Sequence, residues 1–360
     1  MKTAAEKQIL PVLLVGNFLS GHDGRRTYSE DLAARLEQAG VPVVRASRLW
    51  WKPARMADMV GAALGARGAY GVALIDVYSG QAFLWAEGAA RAARARGRRV
   101  VLALHGGRLP EFAARHGARV ERLLAIAGHV VAPSGYLRDA LARWRPGIEV
   151  IPNAIELERY PFRMREAVRP RLVWLRSFHR IYNPEMAVEV LERVRRRYAE
   201  ARLEMYGADK DGSLGRCREA ARRLGVEAAV EFRGAIAKER VGAALAEADV
   251  FLNTTGVDNA PVSVLEAMAC GLCVVSTAVG GVPHVVKDGV EGLLTRPGDA
   301  DGMAEVVLRL MEDEGLCVRL SAAARRRAER HSWEAVLPRW LELLGGGGGD
   351  QGEARHAGVG

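Results

Sequence analysis

Along the chain, short runs of β-branched and other apolar residues alternate with longer stretches rich in Ala, Leu and Arg. In the longer stretches the apolar positions recur at helical spacing, as in TYSEDLAARLEQAG and YLRDALARW. This alternation predicts βαβ units and parallel sheets. Strands are predicted at PVLLVG (11–16), VPVVR (41–45), YGVALIDV (70–77), RVVLAL (99–104), HVVAPS (129–134) and IEVIPN (148–153). A second series follows at RLVWL (171–175), ARLEMYG (201–207), VEFRG (230–234), DVFLNT (249–254) and LCVVST (272–277). Pro161 and Pro170 break the pattern within ELERYPFRMREAVRP. The expected fold class is α/β, with two doubly wound parallel-sheet domains at residues 1–160 and 161–332. An amphipathic helix at 333–344 would cross back to the first domain, and the Gly-rich tail 345–360 has no core to offer.

Length and composition fit that division. At 360 residues the chain suits two domains, and 49% hydrophobic with 26% charged residues excludes disorder of the whole. No run approaches the roughly 20 apolar residues of a membrane span. Glu6, Lys7 and Gln8 interrupt any N-terminal apolar stretch, so a secretory signal is not expected and the cytoplasm is the default. The CGLC pair (270–273) lies between a helix end and a buried strand, which favours buried small residues over a redox or zinc site. Charge is uneven. Residues 1–165 carry 25 basic and 14 acidic residues, net +11, whereas residues 166–360 carry 27 and 29, net −2. An excess of that kind on the first domain invites an anionic acceptor, an anionic membrane surface or a nucleic acid as partner.

In open parallel sheets, ligands collect at the carboxyl ends of the strands. The segment NTTGVDNAPVSVLEAMACGLCVVSTAVGG (253–281) leaves a strand near Thr254, carries Asp258 and Asn259 in a loop and starts a helix at Pro261. Free amides at such a start, with the helix dipole, form an anion site. Asp258 and Glu266 could both face a ligand whose phosphates rest there. Arg176 follows the strand RLVWL directly, so its guanidinium would project into the same cleft and hold diphosphate oxygens. In the first domain, His105 stands at a strand end before Gly106 and Gly107, and Gly21 and Gly24 lie in a strand-to-helix loop that is not a P-loop. Trp50 and Trp51 beside Lys52 would touch acceptor or membrane, or cover a helix. The arginine runs at 193–197 and 324–330 read as solvated faces.

An acidic residue, seven intervening residues, Glu-Ala-Met-Ala and a Gly, here Asp258 to VLEAMACG, resembles the donor site of the retaining glycosyltransferases with the GT-B fold, family four of the sequence classification. The resemblance extends to VGGVPHVVKDGVEGLLTRPGD, GAIAKERVGAALAEADVFLNT, EMYGADKDGS, PSGYLRDAL and VIPNAIELERYPF, and covers roughly residues 10–340. It implies two Rossmann-like domains facing across a cleft, the first for the acceptor and the second for a nucleotide sugar. It implies that Glu266 binds ribose hydroxyls, that Asp258 and His105 approach the donor sugar, and that Asn259, Ala260, Pro261 and Val262 hold sugar hydroxyls and phosphate. Gly207 lies in the loop under the nucleotide, and Arg233 is expected beside it. Gly21, Gly24, Gly106 and Gly107 would line the cleft. The family places a Lys five positions after the equivalent of Arg176; here that position is Ile181, and Arg180 is the expected substitute. His284 stands where the family has Glu. The implied reaction is transfer of a hexose from a UDP- or GDP-sugar to a carbohydrate or lipid-linked acceptor, with retention and without metal or other cofactor. A nucleotide-sugar epimerase on the same scaffold and a basic nucleic-acid binder are the alternatives; the chain has no RNP-like or helix-turn-helix signature for the latter.

Overall fold

The computed structural model describes residues 11–18, 27–47, 49 and 51–346. The first sheet is built from β1 (Val12–Val15), β2 (Val43–Ala46), β3 (Val72–Val77), β4 (Arg99–Leu104), β5 (His129–Ala132) and β6 (Glu149–Val150). Its helices are α1 (Tyr28–Gln38), α2 (Lys52–Ala63), α3 (Gln81–Ala95), α4 (Leu109–Arg115), α5 (Gly117–Ile126) and α6 (Gly135–Leu141). The second sheet holds β7 (Arg171–Leu175), β8 (Arg202–Tyr206), β9 (Val230–Gly234), β10 (Val250–Asn253), β11 (Cys273–Thr277) and β12 (Leu293–Thr295). Its helices are α7 (Pro184–Arg195), α8 (Ser213–Arg223), α9 (Lys238–Ala246), α10 (Val262–Ala269), α11 (Val282–Val285), α12 (Ala300–Glu312) and α13 (Glu314–Glu329). A last helix, α14 (Trp333–Gly345), follows.

Both sheets are wholly parallel, in the orders β2-β1-β3-β4-β5-β6 and β12-β11-β10-β7-β8-β9. The α/β expectation therefore holds, with one strand more than the sequence pattern showed. β12 has three residues, too few for a periodicity to register. The central strand β1 buries both faces, its alternate residues entering different cores: Leu13 and Val15 one, Val12 and Leu14 the other. Helix starts are set locally. Thr27 and Glu30 form a reciprocal capping box on α1, and Ser134, Asp299, Asp313 and Ser332 each accept an amide from the first turn they precede.

The polypeptide passes between the domains at residues 151–170 and again at 331–333, and the passages run side by side. The Ile155 amide donates to the His331 carbonyl at 2.8 Å, and Ile155 bridges Ser332. Beyond them α14 packs Trp333, Val336, Trp340, Leu343 and Leu344 into the first domain's core with Leu32 and Leu36. Trp333 stacks on Tyr28, and the Trp340 indole donates to the Tyr28 hydroxyl at 3.1 Å. All four cysteines are free and buried.

The first passage is pinned by a buried charge cluster. Arg165 is fully buried; it reaches Asp249 through Nε and the carbonyls of Arg163, Cys270, Ala246 and Ala248 through its terminal nitrogens, which occupies all five of its N–H groups. Asp249 also accepts from Arg163 and Arg169. Burial alone would raise the Asp249 carboxyl; the hydrogen bonds from Arg169 and Arg163 outweigh it and hold the group below its ordinary value. Its contribution to stability is therefore present above the ordinary carboxylate range and is lost as pH falls through it. Asp249→Ala leaves Arg165 buried without its anion and should cost about 3–5 kcal/mol in urea unfolding at neutral pH. A loss below about 1 kcal/mol would show that the carbonyl contacts alone carry the clamp.

Candidate functional site

The strand order of the second sheet reverses between β7 and β10, the position where a doubly wound sheet opens a crevice at its carboxyl edge. A cavity of ≈ 300 Å³ occupies that place, lined by Leu175, Arg176, Ser177, Gly207, Ala208, Ile236, Lys238 and Glu266 among others. Arg176 leaves the end of β7 with its backbone amide on the Tyr206 carbonyl. Its guanidinium lies 4.3 Å above the Tyr182 ring and pairs through Nη2 with Asp258. Its Nε is buried with no hydrogen-bond partner. A second buried side-chain atom without a partner is Ser263 Oγ, on the first turn of α10.

Backbone packing presses these groups together. Gly207 has φ 150°, and a Cβ there would lie 1.7 Å from the Arg176 carbonyl oxygen, so only glycine lets β7 and β8 end so close to the cavity. The Asp258–Asn259 loop lies on Gly280 and Gly281, where a Cβ would stand 2.0 and 1.5 Å from the carbonyl oxygens of Asp258 and Asn259. Asp258 Oδ1 accepts the Asn259 amide at 2.9 Å. Pro261 is the N-cap of α10 rather than its first helical residue, with Val262 following.

Glu266, 7% exposed, receives the Tyr160 hydroxyl on Oε1 at 2.7 Å. Burial raises its pKa, with the Tyr160 hydrogen bond and the charges of Lys238 and Arg176 pulling it back down. Burial and the neighbouring Glu266 raise the Tyr160 phenol in turn, so it remains a donor. Lys238, at the start of α9, lines the same cavity and reaches across to Asp31 of α1 at 2.5 Å.

The first domain meets this site along its own strand ends. A Cβ on Gly107 would stand 3.5 Å from the Asp258 carbonyl carbon and 3.7 Å from the Asn259 nitrogen. The Ser134 hydroxyl donates to Asn259 Oδ1 at 2.6 Å, and Asn153 Nδ2 approaches the Ala260 carbonyl at 3.5 Å. His105 sits at the end of β4, stacked on Tyr78 with centroids 5.0 Å apart, its Nε2 held by Asp76 Oδ1 at 3.0 Å. Gly106, at φ 85°, turns the chain just after it.

The structure thus gathers Arg176, Asp258, Asn259, Ala260, Pro261, Val262, Glu266, Gly207, His105, Gly106 and Gly107 about one cleft. It separates two others from it. Arg180 is exposed and faces a different hollow with Asp211 and Arg216, its backbone amide bound to Asp211. Arg233 is exposed and paired with Glu204 and Glu231 on the outer strands. The short helical turn Arg180–Tyr182 accounts for the first: it points the Ile181 carbonyl at the Gly256 amide and turns the Arg180 side chain outward. Gly21, Gly24 and Trp50 lie outside the described residues. His284 packs against Gly135 at the start of α6. Tyr160, Lys238 and Asp76 carry no sequence signal of their own. Nor are all arginines of 324–330 a solvated face, because Arg325 and Arg327 donate to the carbonyls of Ala269 and Val285. Among the described residues, no group of three or more His, Cys, Asp or Glu is placed to hold a metal ion.

Comparison with known proteins agrees with this geometry. The model for group 1 glycosyl transferases matches residues 169–313, and that for glycosyltransferase family 4 matches residues 27–159. A GDP-mannose-dependent α-(1-6)-phosphatidylinositol monomannoside mannosyltransferase of Mycolicibacterium smegmatis is 31% identical over 292 residues, 74% of each chain. A D-inositol 3-phosphate glycosyltransferase of Streptomyces avermitilis is 28% identical over 65% of this chain, and an amylovoran biosynthesis glycosyltransferase of Erwinia amylovora 32% over 41%. The chain spans only 55% and 35% of those last two proteins. Among solved structures, sucrose-phosphate synthase from Thermosynechococcus elongatus superposes with a TM-score of 0.77 at 18% identity, covering 92% of this chain and 98% of that one. Anabaena HepE, solved with UDP and glucose, gives 0.73 at 20% identity, covering 93% and 99%. The fold is GT-B, and the chain belongs to the group 1, family 4 glycosyltransferases.

Proposed function

We propose that the chain is a retaining, metal-independent hexosyltransferase that moves a sugar from a UDP- or GDP-sugar to an acceptor hydroxyl in glycan, polysaccharide or glycolipid assembly. The observation that carries this reading is the buried, unpartnered Arg176 Nε beside the switch-point cavity. A diphosphate is the kind of group that would accept from it. Departure of a nucleoside diphosphate from a sugar leaves an oxocarbenium-like centre and a concentrated negative charge. Arg176 and the first turn of α10 stabilise that charge, and Glu266 receives the ribose hydroxyls. Both oxygens of Asp258 are already engaged, by Arg176 and the Asn259 amide, which suits a sugar-hydroxyl acceptor and not a nucleophile. Retention then follows from departure and attack on one face. The cation absent at Ile181 is not supplied by Arg180 in this arrangement, and no cofactor is required.

The acceptor is carbohydrate or lipid-linked and enters along the first domain. Two of the relatives are named for phosphate-bearing acceptors, inositol 3-phosphate and a phosphatidylinositol monomannoside. No helix among the described residues is long and apolar enough to cross a membrane. Contact with an anionic membrane surface, as a peripheral protein of the cytoplasmic face, would use the N-terminal ends of α2 and α3. Trp51 is 69% exposed there, with Leu49, Met56 and Leu84 exposed beside Lys52. Arg94, Arg96, Arg98 and Arg99 lie at the other end of α3, at the amino edge of the sheet, and Arg99 is committed to the Leu344 and Gly346 carbonyls.

A panel of UDP-, GDP- and ADP-sugars, screened by thermal shift and then by release of free nucleotide, identifies the donor. Arg176→Ala should lower turnover about 10²–10³-fold, whereas Arg180→Ala should stay within about twofold, and activity should survive excess EDTA. Near-wild-type turnover in Arg176→Ala would remove it from the mechanism.

Glu266 binds nucleotide as the carboxylate, so affinity should rise with pH through a midpoint above the ordinary carboxylate value, and Glu266→Gln should lose that dependence along with about 1.5–3 kcal/mol of binding. The same raised pKa means that ionising Glu266 costs folding free energy, so the variant should gain stability over the wild type as pH rises through that midpoint. Matching Tm curves for the two proteins from pH 4 to 8 would contradict this.

Vesicles containing anionic lipid should retain the protein, and neutral vesicles should not. Trp51→Ala with Met56→Gln should release it, while neutralising Arg94 and Arg96 should matter less. The reverse order would move the membrane face to the far edge of the sheet.

A further inference from the structure

The first sheet has its own switch point, between β1 and β3, where the order runs β2-β1-β3-β4. A narrow cavity of ≈ 40 Å³ opens there, lined by Asn17, Arg55, Asp76, Tyr78 and Trp85 among others. At about 10–15 Å³ for each water-sized group, it admits a phosphate or carboxylate but not a sugar ring.

Arg55 dominates the chemistry of this cavity. It is half-buried, with Nε on the Ser47 hydroxyl, Nη2 3.3 Å from Asn17 Oδ1 and its guanidinium 5.2 Å from the centre of the Trp85 ring. All three partners are uncharged. Among the described residues no carboxylate pairs with Arg55. Asp76 spends its two oxygens on the Ser29 hydroxyl and His105, and Asp58 spends its own on the Ser47 amide and Arg67. A half-buried cation without an anion loses part of its hydration, and burial accordingly lowers its pKa, against the raising effect of Tyr78. Ser47, which receives the Arg55 Nε, is fully buried and non-glycine at φ 83°. The surroundings fix this residue, with Asp58 accepting its amide and Arg55 donating to its hydroxyl.

One wall of the cavity adjoins the reaction centre. Tyr78 forms one wall and stacks on His105, and two residues later Gly107 abuts the Asp258–Asn259 loop. We propose that Arg55 is the anion-recognising group of the acceptor subsite, so that the acceptor carries a phosphate or carboxylate that pairs with Arg55 while its reacting hydroxyl lies toward His105 and Asp258. This rests on the donor reading above. The anion could belong to a lipid headgroup or to a soluble sugar, and one experiment separates those sources.

With the donor sugar identified, transfer is measured to matched acceptors: glucose against glucose 6-phosphate, glucose against glucuronate, and phosphatidylcholine vesicles with and without phosphatidylinositol. The expected result is a preference for the anionic member of at least one pair, which falls about 10–100-fold in kcat/KM ratio in Arg55→Met and less in Arg55→Lys. Arg94→Gln, on the far edge, should leave the ratio unchanged. Preference in the soluble pairs assigns a free anionic sugar; preference only in vesicles assigns a headgroup. If Arg55→Met does not fold, the Arg55→Lys ratio against wild type is the readout. Equal use of neutral and anionic acceptors, or an anionic preference untouched in both variants, overturns the inference. If the wild type releases nucleotide from no sugar donor, the donor reading itself fails.

Discussion

Much of the architecture depends on how closely the backbone packs around Asp258 and Asn259. Three positions leave no room for a side chain there: Gly280 and Gly281 beneath the loop and Gly207 under the Arg176 carbonyl, while Gly107 packs against the loop from across the cleft. A methyl group at Gly281 would stand 1.5 Å from a carbonyl oxygen, a distance no rotamer change can relieve. The loop is consequently a fixed point where the ends of both sheets converge. Arg176, Ser134 and the Gly281 amide each bind it from a different element. In the function proposed above, a carboxylate held this way would need no reorganisation when a sugar hydroxyl arrives.

Electrostatics around that point are arranged at the expense of stability. Glu266 and Asp258 are both buried, and Arg176 is mostly so. The ion pair between Arg176 and Asp258 compensates two of these charges, while Glu266 has only a neutral phenol as hydrogen-bond donor. The guanidinium's buried Nε–H has no protein partner. A buried donor without a protein partner beside a buried carboxylate is an arrangement found at ligand-binding sites. The contrast with Asp249 is instructive. There three arginines surround one carboxylate and the buried guanidinium fills every donor, so the cluster has no capacity left for a ligand and serves only to hold the chain.

Sequence patterns revealed those features whose cause is local. The eight-residue spacing from Asp258 to Glu266 could be placed on a loop and the next helix because Pro261 marks the start, and the structure differs only in making it the cap. Arg176 was legible because it follows a strand directly. Arg180 was not, since a short turn of three residues decides which way its side chain leaves, and neighbouring positions in such a turn diverge. Arg325 and Arg327 looked like solvated helix residues because their carbonyl partners lie 56 and 42 positions away. Tyr160 and Lys238 escaped for the same reason: their partners, Glu266 and Asp31, are 106 and 207 residues distant. Strand-length apolar runs marked eleven of the twelve strands among the described residues, and the three-residue β12, paired along β11, is too short to show a pattern.

How the domains are joined bears on how the cleft can work. Both passages of the chain lie side by side, tied by the Ile155 amide and by His331, whose Nδ1 sits 3.2 Å from the Asn153 carbonyl. Burial pushes His331 down to about 4, so this tie stays neutral at physiological pH. α14 anchors the second passage in the first domain's core through two tryptophans, and the Arg165–Asp249 cluster anchors the first passage in the second domain. Two adjacent passages, each fixed at a different end, form a hinge about which the domains could rotate. The contacts that such rotation must break across the cleft include Lys238 to Asp31 and Ser134 to Asn259, together with the touch of Gly107. The first two are polar groups that exchange readily with water or with a ligand's oxygens, so breaking them would leave no buried donor or acceptor stranded.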